Sequence, residues 1–189
     1  MKKITLIFGS PRKEGNSEIM AEQLISSRPA EVEVDRFHVS EMKVGGCIDC
    51  RKCWSTDKPC VIDDDMQKLY ESLISADLIV FVTPLYWYSW SAQIKPVLDR
   101  LLPFMSDDAR ANLHGKKAVL VASAGDDRES CFQGLTFSFR ESCSLLGMEI
   151  KLASSNSFSY SNYFDEVHFS FSFIIAAVVE EFSFLNTPK

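Results

Sequence analysis

The sequence predicts a doubly wound α/β fold: a five-stranded parallel sheet in the order 2-1-3-4-5, with helices on both faces. Three observations carry this. Short apolar runs alternate with segments of helical spacing through residues 2–153. One run, DLIVFVT at 77–83, is apolar without alternation, as a central strand covered on both faces requires. The first strand ends in glycine and leads straight into a helix start, the arrangement of a βα unit.

KKITLIFG at 2–9 is the first strand, and NSEIMAEQLISS at 16–27 has helical spacing through Ile19, Met20, Leu24 and Ile25. EVEVDRFHV at 31–39 alternates and reads as a second strand nearer the sheet edge. DDDMQKLYESLISA at 63–76 opens on three aspartates, which suit the positive end of a helix dipole. That explains Asp63, Asp64 and Asp65 more simply than a metal or acid–base site does. Helices are expected at about 90–102, 106–113 and 129–146, and strands at 115–123 (GKKAVLVAS) and 148–153 (MEIKLA). From Ser154 the composition shifts to serine and phenylalanine, and half of the 14 phenylalanines lie past residue 157. A last helix at about 164–182 is expected there, with Phe169, Phe173, Ile174 and Val178 facing the sheet. No repeat or linker interrupts the chain. It reads as a single domain over 1–189, with a cysteine-rich insertion at 44–62 and an atypical tail at 154–189.

At 189 residues and 46% hydrophobic content, the chain can bury a core without cross-links. The opening MKKITLIFGS has an apolar run only of strand length, so no secretory signal is read and a cytoplasmic location is expected. In a reducing compartment, clustered cysteines point to metal or redox chemistry rather than disulfides. A net charge of −6 without a lysine or arginine block argues against nucleic acid as a partner. The apolar stretch at 169–179 is too short to span a membrane.

In an open parallel sheet, ligands bind beyond the carboxyl ends of the strands, where the strand order reverses. The loop after strand one, Gly9-Ser10-Pro11-Arg12-Lys13-Glu14-Gly15-Asn16-Ser17, lies there. A helix N-terminus offers backbone N–H groups to a phosphate, Ser10, Asn16 and Ser17 add side-chain donors, and Arg12 adds a fork. The glycine spacing fits neither a P-loop nor G-x-G-x-x-G, and Asn16 or Ser17 could equally be a simple N-cap. After strand three, Pro84-Leu85-Tyr86-Trp87-Tyr88-Ser89-Trp90 presents four aromatic faces for a planar heterocycle, a packed cluster or a subunit contact. Ser123, Ala124 and Gly125, after strand four, are small enough to wall the other side. Three such loops on one sheet edge favour a cofactor site.

GSPRKEGNS, the C-x2-C-x2-C loop with VIDDDM, ADLIVFVTPLYWYSWSAQIKPVLDR and GKKAVLVAS together resemble the NAD(P)H-dependent FMN reductases of the flavodoxin-like oxidoreductase family. They are most similar to its iron–sulfur flavoprotein branch. The resemblance covers about residues 1–150. It implies a flavodoxin-like fold, non-covalent FMN, NAD(P)H as co-substrate, and a homodimer or homotetramer. By the same resemblance, Ser10, Arg12, Asn16 and Ser17 would hold the FMN phosphate. Pro84, Leu85, Tyr86, Trp87 and Tyr88 would line the ribityl chain and ring, with Ser123, Ala124 and Gly125 near the ring's far edge. The tail after Ser154 departs from the family pattern.

The cysteine run GCIDCRKCWSTDKPC is C-x2-C-x2-C-x6-C from Cys47 to Cys60. A compact C-x2-C-x2-C lets three thiolates reach three corners of one cube while a fourth comes from further along, as in ferredoxins. Zinc, which more often uses two separated knuckles, ranks second, and unliganded vestigial cysteines remain an alternative. The resembling branch would hold a [4Fe–4S] cluster on Cys47, Cys50, Cys53 and Cys60, with Arg51, Lys52 and Lys58 offsetting its charge. Cys131 and Cys143 read as core thiols.

His38, His114 and His168 have no nucleophile in context, so a hydrolase triad is not expected. No proton-transfer residue stands out, and a flavin needs none. The expected function is transfer of electrons from NAD(P)H through FMN to a small-molecule acceptor such as a quinone or flavin, or to a ferredoxin-like protein. A non-catalytic electron carrier and a zinc-stabilised interaction module are the alternatives.

Overall fold

A computed structural model describes residues 2–151, except 27, 57, 107–111 and 127, together with the strand 173–176. Five strands lie parallel in the order β2-β1-β3-β4-β5, as predicted. They are β1 (Lys3–Phe8), β2 (Glu33–His38), β3 (Leu78–Pro84), β4 (Lys117–Ser123) and β5 (Glu149–Ile150). The helices are α1 (Asn16–Ser26), α2 (Met66–Ser75), α3 (Lys95–Asp99) and α4 (Gln133–Leu146).

The two faces of the sheet can be followed residue by residue through the period-2 alternation of strand side chains. Ile4, Leu6 and Phe8 of β1, Leu78, Val80 and Val82 of β3, and Val119 and Val121 of β4 share one face, closed by Ala21 and Ile25 of α1. Ile7, Ile79, Phe81, Ala118, Leu120 and Ala122 point the other way, onto Leu69 and Leu73 of α2 and Leu135 and Phe139 of α4. All seven residues of β3 are buried, which is why that run could be apolar throughout. Edge strand β2 is only half-buried and carries charge: Arg36 forks onto Glu22 of α1 at 2.7 and 2.9 Å. Charged edges of this kind discourage pairing with other chains.

The expected helix at about 90–102 is shorter than predicted. Only Lys95–Asp99 is α-helical, with Pro96 in its first turn and a separate 3₁₀ turn at Leu102–Met105. Ser91 and Trp90 are drawn instead into contacts with β1 and α4, so the chain enters the helix late. The helix expected at 106–113 falls largely outside the described residues, as does most of the tail. Within the tail, the helix expected at 164–182 is corrected at one place. Phe173–Ala176 is a strand, β6, antiparallel to β4 from Leu120↔Ala176 to Ser123↔Phe173. Its pairing starts where the register of β5, Lys117↔Glu149 and Ala118↔Ile150, stops. A short apolar run cannot be told from a helix by periodicity, and here an open ladder of β4 decides. No helix among the described residues is long and apolar enough to cross a membrane.

Buried polar pairs tie α2 to the sheet. Ser72 bonds Thr5 of β1 at 2.7 Å and Asp35 of β2 at 2.6 Å, and Lys3 pairs with Asp35 at 2.7 Å. Asp64, ahead of α2, accepts from the N–H groups of Met66 at 3.1 Å and Gly45 at 2.9 Å, and from the Arg100 guanidinium. Burial pushes the Asp35 and Asp64 carboxyls up, but these hydrogen bonds outweigh it and both stand below the ordinary carboxylate value. A folded-state value below the unfolded one means stability that is complete above about pH 4 and lost as pH falls through the folded value. Asp64→Asn is therefore expected to lower stability at neutral pH and to flatten the acid limb in thermal unfolding. An acid limb parallel to that of the unsubstituted chain would rule out Asp64 as a contributor.

Candidate functional site

The loops after β1, β3 and β4 meet at the carboxyl edge of the sheet because their strands are in parallel register there. Buried Ser91 donates to the Gly9 carbonyl at 2.6 Å, and its own N–H reaches Thr83 Oγ1 at 3.3 Å. The Leu85 N–H donates to the Ser123 carbonyl at 2.7 Å. A Cβ on Gly9 would lie 2.8 Å from Ile94 Cβ and 2.9 Å from Ser91 Oγ. Glycine is thus needed for the first two loops to close on each other. Gly9→Ala is expected to destabilise by about 1–3 kcal/mol, the cost of overpacking a tight site; urea denaturation measures it.

In the first loop Arg12 is exposed and has no ion-pair partner among the described residues. Ser10 is buried and turned inward: its hydroxyl donates to the Arg12 carbonyl at 3.0 Å and accepts the Arg12 N–H at 3.1 Å. It shapes the loop, and its proton is already engaged. Asn16 and Ser17 open α1, where N–H groups of a first turn have no carbonyl behind them. Ser17 is buried, and its hydroxyl has no hydrogen-bond partner among the described residues. Lys13 is held aside by Glu41. An unpaired guanidinium, open amides and a free hydroxyl around Gly15 are the donor set a phosphate monoester requires.

The second loop is a tight turn, Tyr86 N–H to Ser89 O at 3.2 Å and Ser89 N–H to Tyr86 O at 3.0 Å. Its central residues, Trp87 and Tyr88, both have positive φ, 49° and 62°. That conformation normally selects glycine or asparagine, so two aromatics there store strain. Trp87 is 94% exposed, and Tyr86 and Tyr88 are exposed as well. The amides of Trp87 and Tyr88 carry no protein acceptor among the described residues, whereas those of Leu85 and Tyr86 are already bonded. Pro84 is buried as the last residue of β3, and Leu85 packs half-buried on the core. Trp90 does not join the exposed platform. It is buried edge-to-face against Phe81 and Phe139 at 6.1 and 6.4 Å, with its indole N–H on Ser138 at 3.0 Å. In the third loop Ser123 and Ala124 are buried and Gly125 is exposed. Tyr88→Gly is expected to raise apo-protein stability by about 1 kcal/mol through release of the left-handed strain, read as a higher thermal midpoint.

Gly134 was not legible as a site residue. A Cβ there would stand 2.8 Å from the Tyr88 carbonyl, so α4 supports the aromatic turn from beneath. Ser91 and Thr83 were missed for the same reason: each acts through a contact distant in sequence.

The four cysteines of the 44–62 segment line one small cavity, about 20 Å³, that opens to solvent, with Tyr70 and Arg100 also on its wall. Cys47 and Cys50 are exposed and Cys53 and Cys60 half-buried, all as free thiols. Burial pushes the Cys53 thiol up, and the neighbouring Cys60, Cys50 and Cys47 push it further. No three His, Cys, Asp or Glu side chains among the described residues close to single-ion spacing. The segment is held by Gln67, whose amide donates to the Cys60 and Ile62 carbonyls at 3.0 and 2.8 Å, and by Trp54 Nε1 on the Leu102 carbonyl at 3.1 Å. Arg51 is exposed, pairing with Asp49 and lying over the Trp54 ring. Cys131 and Cys143 are core thiols as expected; burial pushes Cys143 up to about 12.

Residues 2–156 match the model of a protein family described as NADPH-dependent FMN reductase. An iron–sulfur flavoprotein of Archaeoglobus fulgidus is 31% identical over 124 residues, covering 65% of this chain and 56% of that protein. One of Methanosarcina thermophila is 40% identical over 99 residues, covering 52% and 51%. The chain thus spans little more than half the length of these two relatives. Among solved structures, an NADH:FMN oxidoreductase (EMOB) in its apo form superposes with a TM-score of 0.59 at 20% identity, over 82% of this chain and 74% of that one. At that identity the likeness is one of fold.

Proposed function

The chain belongs to the NADPH-dependent FMN reductase family, and from that premise we propose that it is an FMN-dependent oxidoreductase that oxidises NAD(P)H. Electrons would leave to a quinone, a free flavin or a ferredoxin-like protein, by way of a [4Fe–4S] cluster on Cys47, Cys50, Cys53 and Cys60. The observation that carries the reading is the junction of three loops at one sheet edge, pinned by Ser91 on Gly9 and Leu85 on Ser123.

Arg12, the α1 amides at Asn16 and Ser17, and the Ser17 hydroxyl would take the FMN phosphate, with Ser10 keeping the loop in shape. Tyr86, Trp87 and Tyr88 would give the ring an apolar bed, and the open amides of Trp87 and Tyr88 would bond its polar rim. Pro84 and Leu85 would back the ribityl chain, with Ser123, Ala124 and Gly125 along the far edge. A bound flavin supplies the chemistry, accepting a hydride and releasing electrons singly or in pairs. What the chain does is fix the phosphate, orient the ring and hold water off one face. The exposure of Trp87 also supports a homodimer or homotetramer in which a second subunit covers the site.

For the cysteines, four thiols around one cavity fit a cube with a ligand at each corner better than one ion, which needs all four within about 2.3 Å of a point. The cluster would relay single electrons to a protein partner.

Protein purified anaerobically should show flavin absorbance with a broad iron–sulfur shoulder, and NADPH or NADH should bleach the flavin bands. Flavin bands that neither nucleotide bleaches would reassign the chain as an electron carrier. A colourless sample containing zinc would overturn the reading.

A further inference from the structure

The cysteine cavity contains one group that the proposed ligand set leaves unexplained. Arg100 follows α3, is 1% exposed, and lines the cavity from its closed side. Its Nη1 donates to Asp64 and to the Gly45 carbonyl at 3.3 Å, and its Nη2 to the Ile62 carbonyl at 3.4 Å. Its Nε is buried without any hydrogen-bond partner among the described residues. A guanidinium offers five N–H donors in a rigid fork, so the Nε edge cannot swing away to find one. An orphaned cationic donor in a buried wall is costly unless something anionic faces it. Cys60 is at hand: it lines the same cavity as Arg100 and Tyr70. Tyr70 in turn donates to the Arg100 carbonyl at 2.7 Å, which fixes the backbone from which the guanidinium projects.

The other cations near the cysteines do not compete. Arg51, Lys52 and Lys58 are exposed, and water and salt screen their charge. Arg100 is shielded, and its partner Asp64 occupies Nη1, leaving the opposite edge of the fork.

We propose that Arg100 is a positioning and potential-setting residue for the group the cysteines hold, its otherwise unmatched Nε–H donating to an inorganic sulfide of that group. The inference rests on the cluster reading above and adds a residue outside its ligand set. Hydrogen bonds to the sulfurs of such a centre favour its more negative, reduced state and so raise its reduction potential.

The test compares the anaerobically reconstituted protein with two variants, Arg100→Lys and the double variant Arg100→Gln/Asp64→Asn. Lysine keeps the charge against Asp64 but has no Nε–H; the double variant removes both charges, so no buried carboxylate is stranded. Iron, sulfide and flavin are quantified, and the midpoint potential of the iron–sulfur chromophore is taken by spectroelectrochemistry. The double variant is expected to disfavour reduction about tenfold, a shift of about 59 mV for a one-electron couple. Arg100→Lys is expected to shift in the same direction by less, and it supplies the reading if the double variant does not fold. A residue that only braced the loop would leave the potential of the loaded centre where it was. Wild-type iron content with potentials within twofold of the wild-type equilibrium in the folded variants therefore overturns the role of Arg100 and leaves the cluster standing. Wild-type protein that takes up no iron overturns the cluster itself, and the role of Arg100 with it.

Discussion

A Cys53→Ser variant is expected to retain FMN at the level of the unsubstituted protein and to lose iron by at least about tenfold after anaerobic reconstitution. Cys53 is the middle of the run, half-buried, and the thiol that the other three push up. A hydroxyl in its place is a poorer ligand for iron than a thiolate, and among the described residues the cavity has no histidine or carboxylate on its wall to substitute. The flavin loops belong to other strands, so their contents should not change. Iron and flavin measured on the same sample separate the two sites. Equal iron in the variant would mean that Cys53 is not a ligand. Flavin lost together with iron would mean that the cysteine segment and the flavin loops are not independent.

Arg12→Ala is expected to weaken FMN binding by about 10- to 100-fold, the worth of one or two hydrogen bonds to a charged group. The same change should leave the apo-protein's thermal midpoint unaltered, because Arg12 is exposed and has no ion pair among the described residues to lose. Arg12→Lys should fall between, since an ammonium keeps the charge but not the planar fork. Quenching of flavin fluorescence on titration into apo-protein measures all three. An unchanged dissociation constant for Arg12→Ala would remove the first loop from the phosphate site. A fall in apo stability would show that Arg12 has a structural role instead.

Much of the fold is legible in the sequence, because its strongest signals are local. β1, β3 and β4 appear as apolar runs of strand length, and α1 and α2 as apolar stripes, each within three residues of its observed bounds; α4 starts four residues later than expected, after a 3₁₀ turn at Glu129–Phe132. Alternating elements with right-handed crossovers suit the order 2-1-3-4-5 without fixing it. The short α3 and the β6 strand were not legible for a common reason. The first depends on Trp90 and Ser91 being captured by distant partners, and the second on a free stretch of β4.

The aspartate run shows the same division. Negative charge ahead of α2 was evident in Asp63-Asp64-Asp65, and Asp64 does receive the Met66 N–H. That it also holds Arg100, 36 residues on, follows from no pattern in the sequence.

By itself the amino-acid order determined which side chains were available: a glycine-bounded loop with one arginine, an aromatic segment behind a buried strand, and four thiols within fourteen positions. It determined these because strand and helix periods, turn chemistry and ligand spacing are written over a few neighbouring residues. Tertiary structure decided which of those groups remain free to act. Packing took Trp90 into the core and turned Ser10 onto its own loop, left Trp87 in water at a strained φ, and set an unsatisfied Arg100 behind the thiols. Each outcome depends on contacts between residues far apart in the chain, where burial and hydrogen-bond competition, rather than local preference, set the free energy.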